Sequence, residues 1–165
     1  MNVYNKTVYN EKLVRKYNQY YLIQFLVTKF VFMAFLIALL AGYLIYIHMT
    51  QYLIWIGVFL VFYLLILLLI NRLSIRKAIN SSEEIRRGLI IEFVFRDDLM
   101  IPSIREEVAY SQIRSFKVWK DLWIIKTQGQ AIHLVDVQGF ESVEQEKRCY
   151  DTIKSKMFNK TKKSK

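Results

Sequence analysis

From Phe30 to Ile70 the chain has no Lys, Arg, Asp or Glu, and His48 is the one ionisable side chain besides tyrosine in those 41 residues. A water-soluble fold covers most of its surface with polar groups and does not leave so long a segment uncharged. A single soluble domain is therefore excluded by this stretch. Two apolar runs lie within it, Phe30–Ile47 of 18 residues and Tyr52–Ile70 of 19. At 1.5 Å per residue each covers about 27–29 Å, close to the roughly 30 Å hydrocarbon core of a bilayer. One continuous helix would be about twice too long, so His48-Met49-Thr50-Gln51 is read as a turn and the pair as a transmembrane hairpin over residues 21–70. Gly42 and Gly57, one per span, would allow close helix contact and a homo-oligomer through the hairpin.

The net charge of +10 sits beside this apolar segment, not within it. Lys12, Arg15, Lys16 and Lys29 precede the first span; Arg72, Arg76 and Lys77 follow the second, and the turn has no basic residue. Basic flanks stay on the cytoplasmic side, which predicts both termini there. Lys29 is a boundary residue whose long stem lets the ammonium reach the headgroups. Tyr17, Tyr20 and Tyr21 near one end, with Tyr43, Tyr46 and Tyr52 near the other, suit an interfacial aromatic belt.

Outside the hairpin the pattern changes by region. Residues 1–20, with Leu13, Tyr17, Tyr20 and Tyr21 at helical spacing, read as a short interfacial helix. Residues 71–88 read as a helical linker broken at Asn80-Ser81-Ser82 and ended by Gly88. Period-2 segments follow at Leu89–Phe95, Leu99–Ile104, Val108–Ile113, Phe116–Lys120, Leu122–Lys126 and Ala131–Val135, with Gln128-Gly129-Gln130 as a hairpin turn. Ser142 and Gln145 suggest a capping box before a last helix with Val143, Tyr150, Ile153 and Met157 on one stripe. Residues 89–158 thus form a small α+β domain of antiparallel strands closed by one helix. Phe93, Phe95, Phe116, Trp123, Ile125 and Tyr150 are its expected core. Cys149 reads as a small residue beside the helix stripe, and with one cysteine no disulfide framework is available.

Charge divides sharply: residues 1–88 are net +7, residues 89–153 net −3, and the segment from Lys154 on carries six lysines and no acid. A folded domain that is net acidic does not suit nucleic acid. The tail 159–165, with Lys160, Lys162, Lys163 and Lys165, reads as a disordered lysine run that touches anionic lipid. No phosphate-binding glycine loop, dinucleotide fingerprint, zinc-helix motif or nucleophile elbow occurs. His48 and His133 fall on opposite sides of the expected membrane, and Asp97-Asp98 and Glu106-Glu107 read as solvated turn residues. The sequence therefore implies no enzyme, no metal and no cofactor.

Three short motifs carry a resemblance. Val108-Ala-Tyr-Ser-Gln-Ile113, Trp119-Lys-Asp-Leu-Trp-Ile-Ile125 and Gln128-Gly-Gln-Ala-Ile-His-Leu134, followed by Phe140 and a closing helix, resemble the YcxB-like family of small bacterial membrane proteins. The layout of the whole chain is similar, and the specific part runs from about Val108 to Lys156. Val135-Asp136-Val137 departs from it, since the family shows Pro-Lys there. The resemblance implies a cytoplasmic domain of bacterial pleckstrin-homology type on a multi-pass protein of the bacterial inner membrane. The expected function is a non-enzymatic anchored module that binds or regulates an unidentified protein partner beside membrane lipid. The alternative is a small immunity protein whose hairpin engages a membrane-active toxin.

Overall fold

A computed structural model describes residues 2–103 and 107–163, with side chains given for all of these except residues 84 and 158–163. The element order is β1 (Val3–Tyr9), α1 (Glu11–Tyr46), α2 (Tyr52–Ser81), α3 (Glu83–Arg87), β2 (Leu89–Phe95), β3 (Leu99–Pro102), β4 (Val108–Ala109), β5 (Ile113–Trp119), β6 (Leu122–Thr127), β7 (Ile132–Asp136) and α4 (Val143–Lys163). The chain forms two compact units: residues 18–81, and residues 1–17 together with 82–165.

The first unit is a helical hairpin. Uninterrupted apolar sequence without proline lets both helices run long, and at 1.5 Å per residue α1 and α2 measure about 54 and 45 Å. The reversal is tight: Met49 N–H donates to the Leu44 carbonyl at 2.8 Å, and His48 takes a left-handed φ of 60°. The helices are antiparallel, with Phe25, Phe30 and Met33 of α1 facing Tyr63, Leu64 and Leu67 of α2 across a narrow space. Asn18 Nδ2 donates to Asn71 Oδ1 at 3.2 Å between them. Both helices are long and apolar enough to cross a membrane, and none of the residues in the most apolar 18-residue window of either is buried. Gly42 and Gly57 differ from expectation. A Cβ on either would meet nothing within 4 Å, so neither glycine marks a close helix crossing within this chain.

The second unit holds two antiparallel sheets, β1-β2-β3-β4 and β5-β6-β7, and the closing helix. Its largest departure from the sequence reading is at the N-terminus. Residues 3–9 are not part of an interfacial helix; they are strand β1, paired with β2 over seven positions from Val3↔Phe95 to Tyr9↔Leu89. The domain is thus wider than 89–158 and discontinuous, with the hairpin inserted between neighbouring strands. Asn10 stops the strand and starts α1, its Oδ1 accepting from Leu13 N–H at 3.1 Å. Extended structure over Val108–Ile113 is also interrupted: Val108–Ala109 is strand, Tyr110–Gln112 is a 3₁₀ turn, and Ile113 opens β5. Ser142 caps α4 through the Gln145 N–H at 3.2 Å, whereas the Gln145 side chain donates to Glu141, so half of the capping box forms. Helix α4 continues to Lys163, so the backbone of Lys160, Lys162 and Lys163 is helical rather than irregular. Ile104, Glu106 and Lys165 lie outside the described residues.

Between the sheets, Phe93, Phe95, Trp123 and Ile125 are buried with Met100, Tyr110, Val135, Cys149 and Ile153. Phe116 and Tyr150 are partly buried and pack against that group. Trp123 is its centre: Phe140, Phe116, Phe95 and Tyr150 have ring centroids 5.0, 5.2, 6.2 and 6.2 Å away. Tilted and edge-to-face rings of this kind each add about 0.5–1.5 kcal/mol beyond burial. Strand β6 is apolar on both faces, and its outward residues Leu122 and Ile124 are as buried as its inward ones, as is Leu13 from the first turn of α1.

Candidate functional site

The position of β1 depends on a buried polar junction. Asn5 and Thr7 point inward from β1 and are fully buried. Asn5 Nδ2 donates to the Asp136 carbonyl at 2.8 Å, Thr7 Oγ donates to Asn5 Oδ1 at 2.7 Å, and Asp136 N–H donates to Thr7 Oγ at 2.9 Å. These bonds join β1 to the end of β7, so one strand connects both sheets. Buried polar groups satisfied in this way fix a register, because any slip leaves them unpaired. Gly139 completes the junction. A Cβ there would lie 2.3 Å from the Lys6 carbonyl oxygen, so only glycine lets the two backbones meet.

Beside this junction lies a charged cluster. Lys16 Nζ meets Asp121 Oδ2 at 2.5 Å and stands 3.9 Å from Asp136 Oδ2, while Gln138 Nε2 reaches Asp121 at 3.4 Å. The hydrogen bond from Lys16 holds the Asp121 carboxyl below its ordinary value of 3.8. Lys16 was expected at the membrane flank with Lys12, Arg15, Lys29, Arg72, Arg76 and Lys77; it is instead largely buried in this pair, and the other six are exposed. Arg15 pairs with Glu11 one turn away. No local pattern could have revealed the Lys16 pairing, since its partner is 105 residues distant.

Among the described residues the remaining chemistry-bearing groups stand apart from this cluster. Cys149 is fully buried and burial pushes its thiol well above the ordinary value, so it is a neutral packing residue. Tyr110 is raised in the same way by burial and donates to the Arg96 carbonyl at 2.8 Å. His133 is buried at the wall of a cavity of about 500 Å³, which Glu107, Gln112, Thr127 and Gln128 also line. Lys156 pairs with Asp98 at 2.5 Å, and that contact raises its pKa. Among the described residues no group of three or more His, Cys, Asp or Glu side chains is placed to hold a metal. No family model, curated protein or solved structure matches this chain.

Proposed function

We propose that this chain is an integral membrane protein whose hairpin anchors the sheet domain at the inner leaflet, where the domain binds a protein partner. One observation carries the reading: no residue in the most apolar windows of α1 and α2 is buried, and Phe32, Phe35, Ile54, Trp55 and Phe59 are each more than half open. The core helices of a soluble protein bury such side chains; a lipid-facing pair presents them outward. The basic residues at the α1 and α2 ends away from the turn favour a cytoplasmic domain, with His48–Gln51 on the far side.

The domain reads as pleckstrin-homology-like on the ground of its four-plus-three antiparallel strands and closing C-terminal helix. The short motifs around Tyr110, Trp123 and Gln130 support a place near the bacterial YcxB-like proteins. The non-catalytic reading is supported by described side chains that pack, pair or cap, such as Cys149, Lys16 and Ser142. The anchor has an uncommon attachment. The chain departs from β1 at Tyr9 and re-enters β2 at Leu89, a register pair of adjacent strands, so the inserted hairpin is held to the domain by two covalent links.

The test is photo-crosslinking in the native membrane from exposed domain positions such as Lys120 and Gln130. A discrete protein adduct is expected, and it should persist when residues 21–70 are exchanged for an unrelated two-span hairpin. Loss of the adduct on that exchange, or its absence from every domain position, would overturn the reading in favour of a hairpin-borne function.

A further inference from the structure

Each sheet has an inner strand with apolar residues on both faces, and only β6 has its outward apolar residues fully buried. In an antiparallel sheet that meets water on one side, outward positions are polar. The outward residues of β6, Leu122 and Ile124, obey the physics by being buried. Those of β2 are open to a greater degree: Ile90 is 56% exposed and Val94 half-buried, and their partners on β1, Val8 and Tyr4, are 43% and 51% exposed. The registers arrange them in rows. Tyr4, Val94 and Ile101 form one row across β1, β2 and β3; Val8 and Ile90 form another. Between them Lys6 faces Glu92, with Nζ–Oε1 at 3.2 Å and both side chains mostly open. The face is thus two apolar rows with one charge of each sign between.

We propose that this outer face of the β1-β2-β3 sheet is a homodimer interface, covered by the same face of a second copy. The charge arrangement selects that occupant. A two-fold axis lying in the interface, parallel to the strands and midway between β1 and β2, sets β1 over β2 of the other copy at equal height. Lys6 then meets Glu92 of the second copy and Glu92 meets its Lys6, while Tyr4 covers Val94 and Val8 covers Ile90, each twice. Self-complementarity of this kind is what an isologous contact requires. Sheets stacked about 10 Å apart within roughly 30° of aligned interdigitate such side chains. A bilayer would gain from the apolar rows but would have to desolvate the Lys6–Glu92 pair without a new partner for either charge.

The test uses the full chain in detergent micelles and in nanodiscs, with mass read by light scattering. The wild-type chain should be a dimer. Ile90→Glu should weaken association at least tenfold and leave amide-exchange protection of β6 and β7 in place, because Ile90 lies outside the core. Lys6→Glu and Glu92→Lys should each be monomeric alone, since each puts like charges across the axis. Mixed together they should form a heterodimer, an outcome no effect within one chain produces. A monomeric wild type, a dimer indifferent to Ile90→Glu, or a mixture that stays monomeric would each overturn the proposal. A monomer whose label at Ile90→Cys is quenched by brominated lipid would assign the face to the bilayer instead.

Discussion

Gly139→Ala tests whether β1 belongs to the domain. The substitution adds one methyl group and, because Gly139 does not have a left-handed φ, its effect is purely steric. The new Cβ would lie 2.3 Å from the Lys6 carbonyl oxygen, 2.8 Å from its carbon and 3.0 Å from Asn5 Nδ2. An ordinary contact is about 3.5 Å or more, so the backbones must separate by about 1 Å. Separation lengthens the Asn5–Asp136 and Thr7–Asp136 bonds at the same time. Overpacking of this kind costs about 1–3 kcal/mol, and in a domain of this size each kcal/mol lowers the midpoint by about 4–8 °C. Thermal unfolding of the full chain in micelles reads the loss, and amide exchange over Val3–Tyr9 locates it. Gly129→Ala is the control: its Cβ would meet nothing within 4 Å, and the midpoint should stay within about 0.5 kcal/mol of wild type. Equal midpoints for the two variants, with β1 amides as protected as in wild type, would refute the junction.

Two further outcomes are expected. Trp123→Ala removes the fully buried centre of the aromatic cluster and should cost about 3–5 kcal/mol, read as a matching fall in the same midpoint. Lys16→Met should cost about 1 kcal/mol at neutral pH. Its sign with pH follows from Asp121, whose folded value lies below the unfolded one, so the contribution is present at neutral pH and lost as pH falls through that lowered value. Wild type and variant should therefore converge on acidification, and a constant difference down to pH 2 would assign the effect to packing.

The hairpin was legible because a 41-residue uncharged run, split by His48-Met49-Thr50-Gln51, yields two apolar helices long enough to cross a membrane. Strands β2, β5, β6 and β7 were legible as short apolar or alternating runs bounded by turn residues. Strand β1 was not. Its inward residues are Val3, Asn5 and Thr7, so two of three core-facing positions are polar and the alternation that marks a half-buried strand is missing. Those residues face inward because hydrogen bonds to Asp136 hold them there, and Asp136 is about 130 residues away in sequence. The role of Lys16 was hidden for the same reason. It looked like one more basic residue before a span, and only the turn between β5 and β6 supplies its acid. Local pattern reports what each segment buries, whereas pairings across the inserted hairpin leave no periodic trace.

The most direct test of an anchored, inward-facing domain is labelling of single cysteines in intact cells, in a Cys149→Ser background. Thr50→Cys, in the turn between α1 and α2, should react with a membrane-impermeant maleimide added outside. Asn2→Cys and Gln130→Cys, both on the domain, should react only after the membrane is opened. Labelling of Asn2→Cys or Gln130→Cys from outside, with Thr50→Cys protected, would contradict the account.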